Sequence, residues 1–276
     1  MTERIDIPFT PEDLQHAQSI GWQAVSAVAP TLREHFGNTS YEIKNGSEKS
    51  WVTYWDKWAQ DILLEELASF DSTVSFYAEE GGAQTRADTY WTVDPIDGTN
   101  QYARGTAVCT TMLSLTHKGT PLVSVINDFV HGDVYTAKKG EGAFKNFSEP
   151  LHVSKREVSH AFLELYANET SAEGQALWRN IEATGAYIVR YAATGFTMVS
   201  VARGSSEALV SVRNPSSYEW DVAPGALLIQ EAGGTVRSWD GEAQVFDSRK
   251  PNFIVANQVA YSALERLVDQ SMSSTR

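Results

Sequence analysis

The chain has a single cysteine, Cys109, so no internal disulfide staples it. Basic residues are scarce beside acidic ones: 22 Lys+Arg face 35 Asp+Glu, a formal net charge of −13. That imbalance excludes a broad nucleic-acid-binding face, which needs the opposite sign. Long apolar runs are missing too. No stretch approaches the roughly 18 consecutive apolar residues of a membrane span. The N-terminus, Met1-Thr2-Glu3-Arg4-Ile5-Asp6, has no basic region followed by an apolar one, so no secretory signal is expected. Together these absences predict a cytoplasmic protein. The triplets beginning at Asn38, Asn146 and Asn168 are then chance matches to the glycosylation pattern. The six histidines form no ligand cluster with one another. What remains is an ordinary globular composition, 42% hydrophobic over 276 residues, long enough for a substantial core.

Apolar spacing predicts helices over 11–36, where Leu14, Ala17, Ile20, Ala24 and Val28 recur, and over 57–70, where Trp58, Ile62, Leu63 and Leu67 form a stripe. Strands are predicted over 73–78 and 89–93, then over 107–116, 121–130 and 132–137. The second half alternates. It reads as strand 161–166, helix 172–184, strand 187–190, helix 195–203, strand 207–212, helix 221–232, strand 253–256 and helix 258–270, with a frayed tail over 271–276. This is a mixed α+β and α/β pattern. A boundary near Pro150 divides an N-terminal half, 1–149, rich in antiparallel-type strands, from a layered α/β half, 150–276.

The most informative stretch is Trp91-Thr92-Val93-Asp94-Pro95-Ile96-Asp97-Gly98-Thr99-Asn100. An apolar strand runs into Asp94, and Pro95 interrupts ladder pairing. Two carboxylates with the Ile96 carbonyl between them suit a hard, oxygen-preferring cation such as Mg²⁺. The backbone N–H groups of Gly98 and Thr99, at a helix start, suit a phosphate oxygen. Taken alone, Asp94 and Asp97 read more simply as a turn and a helix cap. Two further features change the weighing. Glu79-Glu80 follows another strand, and Trp220-Asp221 opens a helix that closes with Glu231-Ala232-Gly233-Gly234.

From about Lys49 to Ala256 this set of motifs resembles the inositol monophosphatase family. The family pattern is an acid pair after a strand, then D-P-[IL]-D-G-T, then W-D with E-A-G-G behind it. A further acid before the second helix matches Asp56. The resemblance implies a layered α-β-α-β-α sandwich of the inositol monophosphatase and fructose-bisphosphatase type. It also implies a homodimer, and a phosphatase acting on a small phosphorylated metabolite. Glu79, Asp94, Asp97, Asp221 and the Ile96 carbonyl would hold two or three Mg²⁺ ions. Asp56 and Thr99, with Glu79, would orient and deprotonate the attacking water, and Asp97 and Asp221 would also meet substrate. The physical logic stands beside the resemblance. Cations lower the pKa of bound water and neutralise a phosphate dianion, so no Cys or His nucleophile is needed. The turn Lys139–Phe144 lacks the Lys-Ser/Thr of a P-loop and reads as a turn.

Several departures bear on the substrate. Family members commonly place a glutamate several residues before W-D to bind inositol hydroxyls. Here Asn214 or Ser211 falls in that place, and Asn214 becomes the candidate substrate contact. Gln101–Gly105 and Trp220–Pro224 are similar to histidinol-phosphate phosphatases of the same superfamily. Tyr54 and Trp55 replace small residues beside Asp56 and are read as core rather than pocket wall. Three readings therefore stand: an inositol or polyol phosphatase; a phosphatase for an amino-alcohol, nucleotide or sugar phosphate; and a metal-binding interaction protein without catalysis.

Overall fold

The computed structural model describes residues 7–44, 46, 50–81, 86–212, 218–238, 246 and 252–273. The candidate Asn214, and Lys49 at the edge of the motif region, lie outside the described residues.

The first helix, α1 (Pro11–Glu34), starts at a capping box in which Thr10 and Asp13 satisfy each other's backbone N–H. Its Leu14, Ala17, Ile20, Ala24, Val25, Val28 and Leu32 are buried, the stripe that the spacing predicts. A short hairpin, β1 (Tyr41–Ile43) with β2 (Trp51–Thr53), has no counterpart in the sequence reading. The second helix, α2 (Tyr54–Leu67), begins three residues before its expected start at 57. The reason is a second capping box. Thr53 caps, and Asp56 occupies the third helical position, so Asp56 lies inside the helix and not ahead of it.

The first sheet is a meander of β3 (Ser75–Ala78), β4 (Thr89–Asp97), β5 (Thr110–His117), β6 (Thr120–Asp128), β7 (Asp133–Lys138), β8 (Ala143–Lys145) and β9 (Glu149–Pro150), in that spatial order. Only the β3–β4 pair is parallel. A one-turn helix, α3 (Thr99–Arg104), follows β4. The central strands β5 and β6 are buried on both faces: Leu113, Leu115, Val123 and Val125 pack with α1 and α2, while Met112 and Ile126 belong to the opposite core. A sheet covered on both sides loses the polar–apolar alternation of a half-exposed one.

The second sheet comprises β10 (Phe162–Ala167), β11 (Tyr187–Val189), β12 (Ala208–Val212), β13 (Thr235–Ser238) and β14 (Phe253–Ala256), ordered β11-β10-β12-β14-β13. The helices are α4 (Ala172–Glu182), α5 (Thr194–Ala202), α6 (Glu219–Glu231) and α7 (Gln258–Ser273). Strand β13 was not expected, and α7 runs through part of the predicted frayed tail, with Ser271 buried. Three cores separate five layers. The first lies between α1/α2 and the first sheet, and the second holds α5 and α6 between the sheets. The third lies between the second sheet and α4/α7. The middle layer touches the first sheet directly: Ser124 on β6 donates a hydrogen bond to the Pro224 carbonyl of α6 at 2.7 Å.

Candidate active site

Asp94 and Asp97 are three residues apart on one strand, an odd interval that would send them to opposite faces of a regular sheet. They share a face because β4 bulges. Asp94 stands opposite Met112 and Asp97 opposite Thr110, so two residues, Pro95 and Ile96, face the single Thr111 on β5. Thr111 Oγ1 donates to the freed Pro95 carbonyl at 2.8 Å. The strand thus continues past Pro95 to Asp97, four residues beyond the expected end. Both carboxylates turn toward the middle helical layer, where α6 presents Asp221. Carboxylate oxygens of Asp94, Asp97 and Asp221 lie within 4.8 Å of one another.

Asp221 is the third residue of α6 and accepts the Tyr218 N–H at 2.6 Å, so it lies within the first turn of the helix that it was expected to open. Asp97 grips the start of α5, accepting from Thr194 N–H at 2.9 Å and Gly195 N–H at 2.8 Å. Position 195 has to be glycine for that approach, since a Cβ there would fall 2.4 Å from Thr110 Oγ1 and 2.5 Å from Met112 Sδ. Gly98 likewise adopts φ +82° with its Cα against the Val108 carbonyl and Ala193, and turns the chain from strand into α3.

Burial, reinforced by neighbouring charges with Glu79 first among them, holds Asp94 and Asp221 well above the ordinary carboxylate range. Burial also pushes Asp97 up to about 7, against the lowering effect of its N–H donors. Asp94 Oδ1 is buried without a hydrogen-bond partner among the described residues. A buried cluster of acids with an unsatisfied oxygen is the environment that a divalent cation relieves. The donor set, all carboxylate and carbonyl oxygen, fits a hard ion.

Glu79 follows β3, whose register with β4 places it next to Asp94, and it lines the same pocket of about 210 Å³ with Ile96, Gly98 and Thr99. Its carboxylate is engaged by Lys44 Nζ at 3.0 Å, and Glu80 by the same ammonium at 2.7 Å. The Lys44 contact escaped sequence reasoning because nothing local links a residue after β1 to an acid pair 35 residues on. The second acid, Glu80, is anchored through its backbone by Gln60 of α2.

Asp56 and Thr99 meet. The Thr99 hydroxyl lies 2.9 Å from Asp56 Oδ1 and 3.0 Å from the Ile96 carbonyl oxygen, so its one proton has two acceptors. Asp56 Oδ2 accepts from both the Thr53 N–H, at 2.7 Å, and the Thr53 hydroxyl, at 2.6 Å. Burial lifts the Asp56 carboxyl to about 7, opposed by these Thr53 bonds. One side chain therefore caps α2 and reaches the site.

Tyr54 is 65% exposed, not core, and Trp55 stacks on His35 at 3.8 Å; neither lines the pocket. The aromatic that does is Trp51, beside Gln101 and Ala192. Ala192 holds φ +54°, unusual for a residue with a Cβ, and buried Glu164 enforces it by accepting the N–H groups of Tyr191 and Ala192 at 3.0 and 2.8 Å. The glycine-rich turn Lys139–Phe144 binds an anion after all, but an internal one. The N–H groups of Gly140 and Gly142 donate to the Glu231 carboxylate at 2.8 and 2.9 Å.

Comparison with known proteins gives this layered fold and its clustered acids a family, one of enzymes that hydrolyse phosphate monoesters. The model of the "Inositol monophosphatase family" matches residues 13–274, and the chain belongs to that family. It is 26% identical over 260 residues to an inositol-1-monophosphatase of Mesorhizobium japonicum, covering 91% of this chain and 96% of that one. Its fold is similar to that of a solved IMPase of Thermotoga maritima (TM-score 0.81, 24% identity, 94% and 98% of the two chains). It is also similar to that of an IMPase/NADP phosphatase solved with Mg²⁺ and phosphate (TM-score 0.78, 21% identity, 92% and 95%).

Proposed function

We propose that the protein is a Mg²⁺-dependent phosphatase for a small-molecule phosphate monoester, working by direct attack of water. The observation that carries the reading is the convergence of Asp94, Asp97 and Asp221, with an unsatisfied Asp94 oxygen, beside the Gly98–Thr99 turn and the Asp56–Thr99 pair. Asp94, Asp97, Asp221, Glu79 and the Ile96 carbonyl are the residues that would hold the ions. Mg²⁺ supplies charge neutralisation for the phosphate dianion and lowers the pKa of a coordinated water.

The chain's own residues do the rest. Gly98 and Thr99 offer first-turn N–H groups of α3, which have no intrahelical partner, to a phosphate oxygen. Thr99 accepts a hydrogen bond from the attacking water while donating to Asp56. Asp56, poised near neutrality by burial, draws the proton through that hydroxyl. Asp97, Asp221 and Asn214 are the assigned contacts to the substrate. The family resemblance adds two or three ions and a homodimer; light scattering at micromolar concentration checks the dimer. No helix among the described residues is long and apolar enough to cross a membrane.

The test is release of inorganic phosphate from a panel of phosphate monoesters with Mg²⁺ and after exhaustive chelation. Hydrolysis that survives chelation would remove the metal. No hydrolysis of any panel member would leave a metal-binding interaction protein as the better reading.

A further inference from the structure

Beside the acid pocket lies a second, larger one of about 450 Å³, and the two share Trp51, Asn100 and Gln101 as a common wall. An ester whose phosphate sits at Gly98–Thr99 has this neighbouring space for the rest of its body. Its lining is opposite in character to the metal site. Arg104 and Arg190 line it, and no acidic residue does among the described residues. In a chain of net charge −13, a guanidinium facing a pocket without a carboxylate of its own is unusual, and Arg104 is such a one among the described residues.

The two arginines are not equivalent. Arg190 is answered by Glu169, with which it forms an ion pair, and it lies over the Trp178 ring at 5.1 Å. Arg104 has no carboxylate within ion-pair distance among the described residues. Its guanidinium lies over the Trp51 ring, 4.9 Å from the centroid. That ring is itself fixed, because Tyr41 stacks on Trp51 at 3.6 Å with planes 4° apart. Arg104 ends α3, the helix that begins at the phosphate-facing Thr99. Gln101, on the same helix, donates to the Tyr191 carbonyl at 2.8 Å and ties α3 to the opposite wall of the pocket. A guanidinium held over an indole by cation–π attraction still has N–H donors to offer, which suits an anion.

We propose that Arg104 is a specificity-determining residue, and that the preferred substrates are phosphate monoesters carrying a second anionic group that reaches it. This rests on the phosphatase reading above and narrows it. Among the described residues, an ammonium-bearing amino-alcohol phosphate would meet the unpaired Arg104 and no acid lining this pocket, and a singly phosphorylated polyol would leave Arg104 unanswered. A sugar bisphosphate and a nucleotide with a second phosphate both offer the required anion.

The experiment uses two matched pairs with the full-length protein and Mg²⁺: fructose 1-phosphate against fructose 1,6-bisphosphate, and adenosine 2′-phosphate against adenosine 2′,5′-bisphosphate. The readout is the ratio of kcat/KM within each pair. The wild type should favour the doubly anionic member of at least one pair, and the pair that shows it identifies the scaffold. Arg104→Gln should lower that ratio by at least about fivefold, a charge-assisted contact discounted for solvent exposure, and Arg104→Lys should restore part of it. Where neither member of a pair turns over, their affinities by calorimetry replace kcat/KM. A ratio near one in both pairs, or a ratio that Arg104→Gln leaves unchanged, overturns the proposal. Hydrolysis of the singly phosphorylated members would still leave the phosphatase reading standing. An equal loss for both members, together with a changed oligomeric mass, would assign Arg104 to an interface and also overturn the proposal.

Discussion

Removing a metal ligand should make the metal-free protein more stable. Asp94 is the sharpest case, because one of its oxygens has no partner among the described residues and its carboxyl is the one crowded by Glu79, Asp97 and Asp221. Two unit charges at the 4.8 Å limit of the cluster repel by on the order of 3 kcal/mol at an effective dielectric of about 20. Proton uptake near neutral pH already relieves part of this, since burial and mutual repulsion raise the carboxyls. We therefore expect Asp94→Asn to recover about 1–2 kcal/mol in chelator, a rise in Tm of roughly 2–6 °C for a chain of this size. Saturating Mg²⁺ should invert the order. The wild type gains stability by mass action, and the variant, lacking a ligand charge, gains less. At the same time kcat should fall by at least about 10²-fold, the scale set by losing preorganised electrostatic stabilisation. The assay is thermal melting of both proteins in chelator and in Mg²⁺, beside phosphate-release kinetics. A variant that melts below the wild type in chelator would show Asp94 to be a structural acid, satisfied by contacts within the fold, and would refute the reasoning.

Other outcomes follow from the same geometry. Thr99→Ala and Asp56→Asn should each lower kcat by about 10²–10⁴-fold, with the double variant little worse than either, because the two act as one proton path; additive losses at unchanged Mg²⁺ affinity count against the pair. In chelator, stability should decline as pH rises from about 4 to about 7. An unfolded aspartate titrates near 3.9 and folded Asp97 is lifted to about 7, so the folded state holds the proton more tightly and loses that advantage as pH climbs; a flat or rising melting profile across that window contradicts it. Gly195→Ala should cost about 1–3 kcal/mol and weaken Mg²⁺ binding together, since the new methyl drives into Thr110 and Met112 and lifts an N–H from Asp97; denaturant unfolding and a Mg²⁺ titration read the two effects.

The parts of the site that the sequence displays are those whose chemistry is local. Asp94, Asp97, Gly98 and Thr99 fall within six residues, and their meaning survives without knowing what packs on them. The strand leading into Asp94 and the buried stripe of α1 were legible for the same reason. The bulge was not, since it needs the register of β5 to turn an odd spacing into a shared face. Helix starts at Tyr54 and Glu219 were misplaced by two or three residues because Asp56 and Asp221 looked like flanking acids, whereas each accepts the N-cap N–H from within the first turn. Lys44 on Glu79, Glu164 behind Ala192, and Glu231 in the glycine-rich turn are meetings of distant segments, and no window of sequence contains both partners. Tyr54 was assigned inside on residue type alone, and the structure turns it outward.

The middle helical layer has a mechanical meaning. Helices α5 and α6 touch so closely that a Cβ on Gly225 would collide with the Met198 side chain, so the two behave as one slab. That slab abuts the first sheet along the seam where Asp97 holds the tip of α5 and Asp221 lies close to Asp94. An ion shared by these acids would rivet sheet to slab. Loading it should slow hydrogen exchange at the leading turns of both helices in step, although about 25 residues separate them along the chain.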